Sequence, residues 1–204
     1  MKRIVYSLIL FILSMGTYAQ DIRSNTEGLS LSGSFNYINW SSSDLNQLDE
    51  REPNGVGGGL RLGYGFNQRF EAFAAFDAHN FALNYSDEWS YYNSAFAAGL
   101  RINLGGTLQL IRPFVEVGYA RQNFTIDPLF YTGDPTAYEL RMKGSALIAA
   151  AGINYFLTQN LALNASLGGS LGRMNSFLLN EIGYTDRPDV RTLQVKVGLS
   201  YFIH

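Results

Sequence analysis

The chain has 204 residues, of which 14% are aromatic and only 16% are charged, and its formal net charge is −2. Soluble domains carry roughly 25% charged residues, and a disordered chain would lack so much aromatic surface. The absence of cysteine excludes disulfide-stapled folds and thiolate metal sites, and the scattered basic residues exclude a nucleic-acid footprint. The length suits one domain, or two small ones.

The N-terminal segment has the layout of a secretory signal peptide. Two basic residues precede an apolar stretch at 4–13, and small residues follow up to Ala19. This stretch is too short for a membrane-spanning helix, which needs about 20 apolar residues. We therefore expect 1–19 to be cleaved after about Ala19, leaving 20–204 as one mature domain with 13 basic and 17 acidic residues, a net charge of −4.

Eight segments of the mature chain alternate between apolar and small or polar residues with a period of two. In 161–171 the odd positions are mainly leucine, and the even positions are alanine, asparagine, serine and glycine. This pattern is typical of strands with two different faces. In chain order, the predicted strands occupy 28–40, 55–67, 69–81, 92–104, 112–124, 138–156, 160–173 and 189–203.

The connections between these strands alternate between long and short. Polar stretches at 41–54, 82–91, 125–137 and 174–188 follow every odd-numbered strand, and tight or fairly tight turns follow the even-numbered ones. A transmembrane β-barrel has this order, with a short-turn rim and a long-loop rim. A soluble sandwich or lipocalin is the alternative, and it would place the oily face inside. The polar face is too small and glycine-rich for a soluble exterior, whereas it suits the crowded interior of an eight-stranded barrel.

Aromatic residues concentrate near both ends of the strands and predict two girdles at the membrane interfaces. The group near the short turns is Tyr64, Phe66, Phe70, Tyr155, Phe156 and Tyr201. The group near the long loops is Phe35, Tyr37, Trp40, Trp89, Tyr91, Tyr92, Tyr119, Phe124 and Phe130. The sequence therefore predicts an all-β, eight-stranded antiparallel transmembrane barrel with up-and-down topology.

Charged residues of both signs occur on the polar faces of neighbouring strands, where they can pair inside a narrow lumen. The predicted lumen charge network is Arg61, Glu71, Asp77, Arg101, Glu116, Arg141, Lys143 and Lys196. The expected pairs are Arg61 with Glu71 or Asp77, Glu71 with Arg101, and Glu116 with Arg101 or Lys143. These residues predict a salt-bridged plug. A selectivity-lined pore is the alternative, and it needs a wider lumen than eight strands normally leave.

Several stretches resemble the small outer-membrane β-barrels of the OmpA/OmpX and opacity-protein type. They are the signal peptide, the eight alternating segments, and the runs at 112–119, 151–161 and 197–202. The resemblance implies insertion into the outer membrane of a Gram-negative bacterium by the barrel-assembly machinery. That machinery reads a C-terminal strand ending in an aromatic residue, and here Phe202 is followed by Ile203 and His204.

Catalytic residue patterns are scarce. His79 and Asp77 share one strand face, and a triad would need a serine from another strand, such as Ser94. Outer-membrane lipid A deacylases and palmitoyl transferases are barrels of this size, but the His-x-Ser pair of a deacylase is missing because Phe81 follows Asn80. We expect no catalytic, cofactor or metal site, and we expect His79 to form hydrogen bonds in the lumen or at its rim.

The long loops are acidic and contain aromatic residues. Aromatic side chains among polar ones can anchor a protein partner, and carboxylates can share divalent cations with lipopolysaccharide. The candidates for loop interaction are Trp89, Tyr91, Phe130, Tyr131 and Tyr184. Solvated loops that only order one another are the alternative.

These features together predict a monomeric, non-enzymatic outer-membrane barrel with a structural or surface-interaction role carried by its loops. The expected partners are outer-membrane lipids and lipopolysaccharide, the barrel-assembly machinery and a protein at the loops, but no nucleic acid. The main alternative is a narrow pore or transporter for small or hydrophobic solutes, and a lipid-modifying enzyme is the third.

Overall fold

The computed structural model describes residues 24–42, 53–81, 90–129, 138–179, 182–184 and 188–203. The strands are β1 (Gly28–Ser42), β2 (Asn54–Gly65), β3 (Phe70–Phe81), β4 (Ser90–Asn103), β5 (Ile111–Leu129), β6 (Tyr138–Phe156), β7 (Leu161–Leu179), β8 (Ile182–Tyr184) and β9 (Asp189–Ile203). Within these ranges, no helix is long and apolar enough to cross a membrane.

The strands form a closed antiparallel barrel of eight. The strands β1 to β7 pair in chain order, and β7 pairs in turn with β9. The ring closes because β9 also pairs with β1, from Leu29↔Ile203 to Ser42↔Val190. The short β8 pairs only with the end of β7 and adds no strand to the ring. The predicted fold class is therefore confirmed.

Three neighbouring strands extend further than the others at the long-loop rim. β5, β6 and β7 have 19 residues each, whereas the other barrel strands have 12 to 15. Pairing of β6 with both neighbours continues to Leu129↔Tyr138 and Leu140↔Leu179, past register shifts after Ile126 and Lys143. The predicted ends at 124 and 173 were therefore too early. We call this raised part of the barrel the extended wall.

The barrel is apolar outside and largely polar inside. Leu60, Leu147 and Leu171 are 66%, 69% and 66% exposed on the outer surface, in a continuous apolar band that no soluble monomer of this size would show to water. Lumen-facing positions hold buried charged and amide side chains such as Glu71 and Asn36. This polarity is that of a transmembrane barrel, and it excludes the lipocalin alternative.

The outer surface carries most of the predicted aromatic girdles. Exposed members are Tyr64, Phe66, Phe70, Tyr155 and Tyr201 near the short turns, and Phe35, Tyr37, Tyr92 and Tyr119 near the long loops. The prediction was wrong for Trp40, Phe124 and Phe156, which are buried inside the barrel. Their positions have the same parity as the lumen-facing residues of their strands, so side-chain alternation turns them inward. Trp89 and Phe130 lie outside the described residues.

Candidate functional site

Four charged side chains from β2, β3, β4 and β5 form one ion-pair network in the half of the lumen nearer the short turns. The Arg61 Nη1 donates to Glu116 Oε2 at 2.7 Å and its Nη2 lies 3.3 Å from Glu71 Oε1. The Arg101 Nη2 is 3.0 Å from Glu116 Oε2, and its Nη1 is 4.0 Å from Glu71 Oε2. Two cations therefore alternate with two carboxylates, and all four side chains are nearly excluded from solvent.

Strand register brings most of this network together. Glu71 lies opposite Arg101, and Arg101 lies opposite Glu116, so three of the charges follow one line across β3, β4 and β5. The contact between Arg61 and Glu116 joins strands that are not neighbours and crosses the lumen. The structure brings together the predicted pairs of Arg61 with Glu71, Glu71 with Arg101 and Arg101 with Glu116.

A glycine and two aromatic rings surround the charged groups of the network. A Cβ at Gly63 would overlap Oε1 of Glu71, so this carboxylate needs a glycine on the adjacent strand. The guanidinium of Arg61 lies 4.0 Å from the centroid of the Phe73 ring. That of Arg101 lies 3.9 Å from the centroid of the Phe114 ring. Such cation–π contacts are stronger when the cation is desolvated, so the rings stabilise both buried arginines.

A second ion pair lies nearer the long-loop rim. The Lys196 Nζ donates to Asp77 Oδ2 at 2.6 Å, and the Asn36 Nδ2 donates to Asp77 Oδ1 at 2.8 Å. These residues come from β9, β3 and β1, so this contact also spans the lumen. The lumen thus contains six of the eight residues predicted for the charge network.

The other two predicted members, Arg141 and Lys143, do not enter the lumen. Both are exposed on the outer face of the extended wall, where the Arg141 Nε lies 2.5 Å from Glu139 Oε1. Met142 and Leu140, at the alternate positions of β6, are the residues buried inside. The assignment of Arg141 and Lys143 to the lumen, and the pairing of Lys143 with Glu116, are therefore wrong.

An apolar plug fills the lumen at the long-loop rim. Trp40 and Phe124 stack with their ring centroids 5.0 Å apart, and Phe81 meets Phe124 edge-on at 5.7 Å. Its members, contributed by six strands, are Ile38, Trp40, Phe81, Phe124, Ile126, Leu140, Met142, Met174 and Val190. The sequence interpretation missed this plug, although strand parity places each member inside.

The segment that precedes β1 closes the short-turn rim. The Ser24 backbone N–H donates to the Thr107 carbonyl at 2.8 Å, and the Thr26 hydroxyl donates to the Gln68 carbonyl at 2.9 Å. Arg112 is fully buried beneath them and its Nη1 donates to Thr26 Oγ1 at 3.1 Å and Gln68 Oε1 at 3.2 Å. The N-terminal segment and the turn that contains Gln68 are thereby tied to a single guanidinium.

Little empty space remains between these layers. Two cavities of about 50 Å³ each lie at mid-lumen, and both are lined by Asp77, Glu116, Ser166 and Lys196 among other residues. A cavity of this size holds only a few water molecules. These two spaces can hold internal water beside the ion pairs.

His79 is buried in the lumen, with 1% of its surface exposed. Neither ring nitrogen has a hydrogen-bond partner among the described residues, so the expected hydrogen bonds are not present there. Ser94 has the opposite parity to the buried Asn93 and Ala95 of β4 and so faces outward, away from the His79 ring. No triad is assembled from these residues, and no three possible ligands in the described ranges lie close enough to hold a metal ion.

The five residues predicted for loop interaction have no described side chains. Trp89, Phe130 and Tyr131 lie outside the described residues. Tyr91 belongs to β4 and Tyr184 to β8, but only their backbone is described. The interaction role of these five residues remains a prediction.

Comparison with known proteins places this architecture among bacterial barrels. The family model of the outer membrane protein beta-barrel domain matches residues 7–201. The chain matches no curated protein sequence.

Several solved structures share the fold at low sequence identity. Neisserial surface protein A is 14% identical with a TM-score of 0.63, covering 87% of this chain and 98% of that chain. OprG from Pseudomonas aeruginosa is 16% identical with a TM-score of 0.60, covering 90% and 100%. Ail, the attachment invasion locus protein of Yersinia pestis, is 14% identical with a TM-score of 0.54, covering 86% and 100%. At these identities, the likeness concerns the fold alone.

Proposed function

Because the chain belongs to the outer membrane protein β-barrel domain family, we propose that it is a non-enzymatic outer-membrane barrel that displays recognition loops on the cell surface. In this proposal the chain is exported, cleaved after about Ala19 and inserted as a monomer by the barrel-assembly machinery of a Gram-negative bacterium. Both termini then lie in the periplasm, and the four long loops lie outside among lipopolysaccharide.

The observation that carries this proposal is the filled lumen. The apolar plug, the two groups of ion pairs and the Arg112 contacts close the barrel at three levels. A barrel whose interior is committed to packing has only its outer surface and its loops for contact with other molecules. The loops carry the aromatic and acidic residues that suit such contacts.

The filled lumen also predicts the outcome of conductance measurements. In planar bilayers, the purified barrel should show no stable channels, because each of the three layers blocks the passage. A scaffold role and a pore are thereby distinguished. Stable channels that disappear in Glu116→Gln or Arg101→Ala would instead assign the charged lumen to solute passage and contradict the proposal.

The surface role is tested by shortening the four long loops one at a time. Each variant, reconstituted in nanodiscs, is applied to a panel of immobilised purified extracellular proteins and polysaccharides. Binding by the intact barrel should be lost when one particular loop is shortened, while heat-modifiable gel mobility shows that the barrel remains folded. Binding that survives all four deletions would place recognition elsewhere. Mass spectrometry of lipid A from cells with and without the protein tests the lipid-modifying alternative, and we expect identical spectra.

A further inference from the structure

Five basic side chains lie on the outer surface just beyond the apolar band, on one side of the barrel. We call them the basic cluster: Arg121, Arg141, Lys143, Arg173 and Arg191. They come from β5, β6, β7 and β9, and all five are exposed. None belongs to the lumen network described above.

Strand register brings these residues close together. Arg121 lies opposite Ser145 of β6, and Ser145 lies opposite Arg173 of β7. The two arginines therefore flank one strand at about 10 Å, which is twice the spacing of neighbouring strands. Lys143 is the next outward residue of β6, and Arg191 lies opposite Leu171, two residues below Arg173.

The basic cluster has more positive charge than its neighbours neutralise. Arg173 lies 2.7 Å from Asp189, and Arg141 is paired with Glu139. Among the described residues, Arg121 and Lys143 form no ion pair, whereas Arg191 interacts electrostatically with Asp189, which Arg173 also contacts. The described side chains of this patch therefore have five basic and two acidic groups, a net charge of +3.

The described outer faces of the other four strands are uncharged at the corresponding level. Asn54 and Asn80 lie on β2 and β3, the strands farthest from the cluster, and the flanking strands β1 and β4 have Asn39, Ser41, Tyr92 and Ser94. Asn39 and Asn54 even join one another through a side-chain hydrogen bond of 2.9 Å. Within the described ranges, the positive charge at this level is thus confined to β5, β6, β7 and β9.

The position of the basic cluster relative to the apolar band indicates its ligand. Directly below it, on the same outer faces, lie the exposed Tyr119, Leu147, Leu171 and Leu193. The cations therefore lie at the level where hydrocarbon ends and lipid headgroups begin. Arginine and lysine side chains at this depth attract anionic headgroups, and arginine binds phosphate through two parallel hydrogen bonds.

We propose that the basic cluster binds the phosphate groups of anionic lipids in the outer leaflet and so orients one side of the barrel toward them. This inference rests on the outer-membrane location proposed above, but it does not depend on the loops. A soluble acidic protein is a less suitable ligand, because the cluster borders lipid and not the tip of the barrel.

The absence of cysteine from the sequence allows a site-specific test. Ser145→Cys places a fluorophore between Arg121 and Arg173, and Asn80→Cys places it on the exposed outer face of β3, away from the cluster. Each labelled barrel is reconstituted in phosphatidylcholine vesicles that contain either brominated phosphatidic acid or brominated phosphatidylcholine. Quenching by the phosphatidic acid should exceed quenching by phosphatidylcholine by about twofold or more at position 145, and the two lipids should quench equally at position 80.

Variants of the cluster show whether its charge causes this preference. Arg121→Gln combined with Lys143→Gln removes two cations without breaking an ion pair, and it should bring the quenching ratio at position 145 close to one. Asn123→Gln, on the same outer face opposite Lys143, is the matched control and should leave the ratio unchanged. Inorganic phosphate in the buffer should not displace the lipid.

Several results would overturn this inference. They are equal quenching by the two lipids at position 145, the same preference at position 80, or a preference that survives in the double glutamine variant. Displacement by inorganic phosphate would show a site for soluble anions and not for lipid. Because the loops are intact in every variant, failure here would leave the loop-deletion result unaffected.

Discussion

Replacing Arg101 by alanine should lower the free energy of unfolding by about 3–5 kcal/mol, the typical cost of removing one partner from a buried ion pair. Arg101 contacts both carboxylates of the lumen network and lies over the ring of Phe114. Without it, Glu71 and Glu116 share the single cation of Arg61 in a nearly dry lumen. The loss of one charge therefore affects the whole network.

Reversible denaturant unfolding in lipid vesicles measures this effect, with Leu163 as the control position. Leu163 is exposed on the apolar band, so Leu163→Ala removes only lipid contact and should cost clearly less than Arg101→Ala. Leu163→Arg should cost only about 0–1 kcal/mol, because Leu163 is the third residue of β7 and lies close to the short-turn interface. A neutral Arg101→Ala beside a severe Leu163→Ala would mean that the barrel is inside out.

Replacing Trp40 by alanine should cost about 3–5 kcal/mol, as expected when a large aromatic side chain is deleted from a packed core. Trp40 is only 2% exposed and stacks on Phe124 in the middle of the apolar plug. Its removal leaves a hole that the fixed ring of strands cannot close by collapsing. A girdle residue at the membrane interface would lose far less.

Phe35 provides the matched comparison on the same strand. It is 63% exposed on the outer face of β1, so Phe35→Ala should have a much smaller effect than Trp40→Ala. Gel mobility with and without heating, together with circular dichroism, follows unfolding of both variants without relying on tryptophan fluorescence. If Phe35→Ala were the more damaging variant, Trp40 would belong to the girdle and the apolar plug would not support the barrel.

Two of the three lumen layers, the apolar plug and the ion pairs, support one another. The apolar plug keeps water from the ion pairs on the long-loop side, and a lower local dielectric strengthens the attraction between opposite charges. The ion pairs in turn join β2, β3, β4 and β5 beneath the plug. Variants that open the plug should therefore also weaken the network, so their effects on stability should not add independently.

Side-chain parity accounts for most of what the sequence alone determined. A period of two is a local property of the chain, so the eight barrel strands, their alternating connections and the oily outer face follow from it directly. The line from Glu71 through Arg101 to Glu116 joins strands that are consecutive in the chain, and it was predictable. Parity also predicts that Trp40 faces inward and Lys143 faces outward, whereas composition and position along the strand had suggested the opposite faces.

The tertiary structure decided the contacts that cross the lumen and the heights at which strands end. Arg61 reaches Glu116 and Lys196 reaches Asp77 between strands that are not neighbours, and such pairs depend on the stagger with which the sheet closes. The extension of β5 and β7 depends on pairing with β6 beyond the apolar band, which hydropathy does not report. Closure and stagger are properties of the whole ring of strands, and no single segment of the sequence reports them.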